Sequence, residues 1–125
     1  MKVLVAVELC AYREAIGLAI EDLRPDVEMT VRAPEDLVSE MARLAPKLVI
    51  CNRPDPKMSE GIVAWVELQS PQDSLQKATV RIGGHRFKLV NVQLNDLLSV
   101  IDCTEEAIQA DRLPGDRYGR GTPGQ

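Results

Sequence analysis

The chain has 125 residues, 45% of them hydrophobic and 27% charged, with a formal net charge of −4. This is the size and balance of one globular domain, long enough to bury roughly two thirds of the surface its unfolded form exposes. The negative charge removes any general attraction to nucleic-acid phosphates or anionic lipid, and an aromatic content of 3% removes a base-stacking platform.

Lys2–Val7, KVLVAV, reads as a buried strand closed by Glu8. Tyr12, Ala15, Ile16, Ala19, Ile20 and Leu23 then recur at helical spacing, and Arg24-Pro25 ends that helix. Val27, Met29 and Val31 alternate with polar residues, the pattern of an edge strand. Pro34 and the acids Glu35 and Asp36 open a second helix with Leu37, Val38, Met41, Leu44 and Ala45 on its buried face. Pro46 stops it, and Leu48–Asn52 follows as a strand buried on both faces. Alternation of strand and helix at this spacing predicts a parallel sheet with right-handed crossovers.

The second half is less regular. Arg53–Gly61 reads as a polar loop, Ile62–Leu68 as a strand that joins the sheet, and Gln69–Gln76 as a polar loop with room for one helical turn. In Lys77–Val90 two alternating runs flank Gly83-Gly84, which predicts an antiparallel β-hairpin at a sheet edge. A short helix ending at Gly83 and followed by one strand is the other reading. The hairpin is preferred because Thr79, Val80 and Ile82 are poor helix formers. Asn91 or Asn95 caps a last helix whose core face is Leu94, Leu97, Leu98, Ile101 and Ile108. Residues 1–110 are thus expected to form the domain, and 111–125, rich in glycine and proline, a flexible tail.

Cys10, Cys51 and Cys103 are odd in number and lack paired spacing, so neither a disulfide framework nor a metal site is expected. The N-terminal apolar run is broken by Glu8, and no run approaches the ~20 residues that span a bilayer. A cytoplasmic protein with no membrane partner is the expectation.

Two stretches carry a resemblance. Ala11–Ile16, AYREAI, stands behind the strand end Val7-Glu8, and Pro46–Asn52 reads PKLVICN, with Pro54 and Pro56 just beyond. Together they resemble the first half, to about residue 56, of response-regulator receiver domains, in which a P-D-L-V-L-L-D phrase ends on the phosphoacceptor. The resemblance implies a three-layer α/β sandwich of the flavodoxin-like (CheY-like) type, here with the antiparallel hairpin in its C-terminal half.

The departures decide what the resemblance implies for function. Asn52 stands at the phosphoacceptor position, and a neutral amide cannot attack a phosphoryl donor. Leu9 stands beside Glu8 where a second Mg²⁺-binding acid is needed. Neither Val90 nor Asn91 supplies the receiver lysine, and Glu67-Leu68 replaces the switch Ser or Thr. The expectation is a degenerate receiver that does no catalysis, needs no cofactor or metal, and acts by contact with another protein or a second copy. The alternative is a small-ligand-binding protein or enzyme using the crevice at the strand C-terminal ends. Glu8, Asn52 and Asp55 are the candidate crevice residues, and Arg81, His85, Arg86 and Lys88 the candidate partner-contact cluster on the hairpin.

Overall fold

The computed structural model describes residues 1–8, 10–56, 61–69 and 77–112, with backbone alone for Cys10, Tyr12, Asp111 and Arg112. Strand β1 (Lys2–Ala6) leads to helix α1 (Cys10–Leu23), edge strand β2 (Glu28–Val31), a 3-10 turn (Pro34–Asp36) and helix α2 (Leu37–Leu44). Then come β3 (Leu48–Cys51), β4 (Ala64–Leu68), β5 (Lys77–Ile82), β6 (His85–Val90) and helix α3 (Leu94–Arg112).

The six strands form one mixed sheet in the order β2-β1-β3-β4-β5-β6. β2, β1, β3 and β4 are parallel, with Val3 opposite Leu48 and Leu48 opposite Ala64. β5 reverses direction, pairing Trp65 with Arg81, and β6 reverses again, pairing Ile82 with His85. A wholly parallel flavodoxin-like sheet would keep the fifth strand aligned with the fourth. The link between β4 and β5, residues 69–76, is shorter than the roughly dozen residues of a parallel crossover, so the chain returns antiparallel.

The hairpin reading of 77–90 holds. Only the first of the two turn glycines, Gly83, has a positive φ, of 60°, which is the pattern of a type II′ turn.

Helices pack on both faces of the sheet. α1 and α3 cover one face, where Val3, Val5, Leu48, Ile50, Val66 and Val80 meet Ile16, Ile20, Leu97 and Ile101. α2 covers part of the other, where Leu4, Ala6, Val49, Cys51 and Trp65 meet Leu37, with Met41 and Leu44 at the margin. Each fully buried aliphatic side chain contributes about 1.5–3 kcal/mol, so the core rests mainly on the α1/α3 face.

Several local expectations are corrected. Val38 is 76% exposed and lies off the α2 core face, and Ala45 takes a left-handed φ of 49° as that helix's C-cap. Asn91 also has a positive φ, of 58°, and does not cap α3. The backbone N–H of Gln93 donates to Asp96 Oδ2 at 2.9 Å, and the Gln93 carbonyl accepts from Asp96 N. The Asp96 side chain thus supplies one half of a capping box, at a helix start two residues from either asparagine. α3 runs to Arg112, into the segment read as a tail. Residues 57–60, most of the 69–76 loop and the tail from 113 onward lie outside the described residues.

Candidate functional site

Asn52 leaves the end of β3 and lies between β1 and β4. Its Oδ1 accepts from the backbone N–H of Glu8 at 2.6 Å, and its Nδ2 donates to the carbonyl of Leu68 at 2.8 Å. The carboxamide therefore bridges the C-terminal ends of three parallel strands. Arg13, from α1, donates to the carbonyl of Val7 at 3.1 Å. These strand-end backbone groups are thus satisfied from within the chain.

Below this brace Cys51 is buried, with its Sγ 3.4 Å from the backbone N–H of Arg53. Burial pushes the thiol up to about 12, and nearby Glu67 and Asp55 push the same way. A thiol protonated at neutral pH is not a nucleophile. The indole N–H of Trp65 donates to the carbonyl of Arg53 at 2.9 Å, which holds the loop against β4.

Asp55 does not share this brace. Its carboxylate accepts from Arg81 Nε and lies 3.3 Å from Arg86, and its side chain is only 7% exposed. The ion pairs pin the loop after β3 over the part of the sheet that α2 leaves uncovered. Of the crevice candidates, Glu8 and Asn52 come together, and Asp55 turns to the hairpin.

The hairpin candidates also divide. Register places Arg81, Arg86 and Lys88 on the same face as Trp65. His85 stands opposite Ile82 on the α3 face, exposed at the turn. Arg81 is occupied by Asp55, by the Val63 carbonyl at 3.4 Å and by the Gly83 carbonyl at 3.3 Å. Lys88 makes no ion pair among the described residues.

No group of three or more His, Cys, Asp or Glu that could hold a metal is found among the described residues. No described helix is long and apolar enough to cross a membrane. A cleft of about 390 Å³ lies at the opposite end of the sheet, between Lys2, Glu28, Lys47 and the later turns of α3 at Glu105 and Ile108.

That Asn52 ends a strand is legible in the sequence, and what it binds is not. The only sequence signal of the Asp55 clamp is a lone acid between two prolines and a hairpin that carries Arg81 and Arg86. Comparison with protein-family models, with curated proteins and with solved structures finds no match to this chain.

Proposed function

We propose that this chain is a receiver-like regulatory module that acts by protein contact, without catalysis and without phosphorylation. The observation that carries the reading is the double engagement of Asn52. Both ends of its carboxamide are held by backbone, from Glu8 and to Leu68, at the position where a receiver would present a free carboxylate. An amide in that place braces the strand ends. The strand order β2-β1-β3-β4 supports a receiver-like first half, as an analogy of fold only. The hairpin replaces the later receiver elements and gives the module an edge strand, a natural place for another chain to dock.

The test is incubation with acetyl phosphate and Mg²⁺ followed by intact-mass measurement. The expected spectrum is that of the unmodified chain. Gain of a phosphoryl group overturns the reading. Turnover of a substrate that disappears when Asn52 is replaced, in a variant that keeps its fold, does so as well.

A further inference from the structure

β6 is the last strand of the sheet, with no outer neighbour among the described residues. It is six residues long and largely exposed, with Phe87 at 41% and Val90 at 61%. The two-residue turn fixes which backbone groups face outward. Ile82 and His85 flank the turn as a hydrogen-bonded pair, so His85, Phe87 and Leu89 point their amides at β5. The N–H and C=O groups of Arg86, Lys88 and Val90 then point away from the sheet, unpaired by the strand ladder.

The side chains on this edge are sorted by face. Arg86 and Lys88 stand on one side, and Phe87 and Leu89 on the other. There they border a mainly apolar groove with Ile82, Val100 and Cys103, to which Ser99 and Asp96 also contribute, the Asp96 carboxylate accepting from the Gln93 N–H. From Lys77 through Asn95 the sequence contains no acid, in a chain whose net charge is −4. Asp55 answers Arg81 and part of Arg86, and Lys88 has no ion pair among the described residues.

A second copy is a poor occupant of this edge. Antiparallel pairing of β6 with itself about a two-fold axis sets same-face residues opposite each other. Its central registers put Arg86 against Lys88, or Lys88 against Lys88, and like charges in opposed positions are destabilising.

We infer that β6 is the docking edge for an extended segment of another protein in which acidic and apolar residues alternate, added to the sheet as a further strand. The acids face Arg86 and Lys88, and the apolar residues lie beside Phe87 over the groove. Backbone pairing to Arg86, Lys88 and Val90 supplies affinity, and the alternation supplies register and selectivity. The inference rests on the contact-module reading and names its partner's chemistry.

The experiment uses the full chain and a fluorescein-labelled peptide of alternating Glu and Val, read by anisotropy. Three control peptides accompany it: alternating Lys and Val, the acidic composition with its Glu residues grouped at one end, and the alternating acidic peptide N-methylated at every second residue. The alternating acidic peptide is expected to bind, more weakly as salt rises. Lys88→Glu is expected to weaken binding about tenfold. Lys88→Pro is expected to abolish it, because proline removes an outward N–H that β5 does not use. The N-methylated peptide makes the same test on the unaltered protein, should the proline variant fail to fold.

Failure of the alternating acidic peptide to bind overturns the inference, as does equal binding of the grouped, basic or N-methylated peptides. Concentration-dependent dimerisation that Lys88→Pro abolishes also overturns the choice of occupant. Absence of binding in a chain that still refuses a phosphoryl group counts against this inference alone, whereas phosphoryl gain removes the reading beneath it.

Discussion

Asn52 joins three strands through one carboxamide whose two ends are chemically distinct. The oxygen takes the N–H of Glu8, and the nitrogen gives a proton to the carbonyl of Leu68. Asn52→Asp preserves shape and the first bond. It loses the second, because a carboxylate has no proton to donate and repels the carbonyl. Urea denaturation is expected to show a loss of about 1–3 kcal/mol at neutral pH. The loss should shrink in acid, where the new carboxyl regains a proton to donate. That this position ends a strand, and bears an amide in place of an acid, is legible in the sequence. Its partners are not, since they lie 44 and 16 residues away along the chain. Periodicity carries no information about such pairings.

Elements are more legible than contacts, because each is written in a local pattern. The runs KVLVAV and LVIC mark β1 and β3, and Gly83-Gly84 between alternating runs marks the hairpin. Asparagine is a strong general cap signal, so the sequence points to Asn91 or Asn95, whereas the capping contact joins Gln93 and Asp96. The Gln93–Asp96 pair is visible only when the true helix start is known. A close approach between elements is equally silent in one sequence. Gly17 in α1 lies against Val31 in β2, and a Cβ added there would stand 2.6 Å from Val31 Cγ2. Gly17→Ala gains about 1 kcal/mol of helix propensity but forces overpacking worth about 1–3 kcal/mol. The valine is branched at Cβ and cannot swing clear along a long side chain, so a net loss of about 1 kcal/mol is expected in chemical denaturation. Adding Val31→Ala should remove the penalty that Gly17→Ala introduces, leaving only the cost of the shortened valine. Additive losses in the double variant would show that the contact is not the cause.

Among the described residues the sheet is unevenly covered, with two helices on one face and, on the other, one helix and a pinned loop. The two helices sharing a face are linked at its margin. Arg24, just after α1, makes two 2.9 Å hydrogen bonds to the Asp102 carboxylate of α3. The Arg24 hydrogen bond, opposed in part by burial, holds the Asp102 carboxyl below the usual carboxylate range. A depressed folded-state value contributes stability above the unfolded-state pKa of about 3.9. That contribution is lost as pH falls through the folded-state value. Asp102 is half exposed, so its contribution is within about 1 kcal/mol. Asp102→Asn should melt slightly below the parent at neutral pH, and the gap should close in acid. A gap that widens in acid would refute the assignment.

The chain has one tryptophan, Trp65. It sits 2% exposed in the strand where parallel pairing gives way to antiparallel, its indole tied to the loop that precedes that strand. Its intrinsic emission is therefore a built-in optical gauge, blue-shifted while both sides of the sheet are in place around it and moving to the red when one peels away. Separation of the two halves can be followed spectroscopically without attaching a dye.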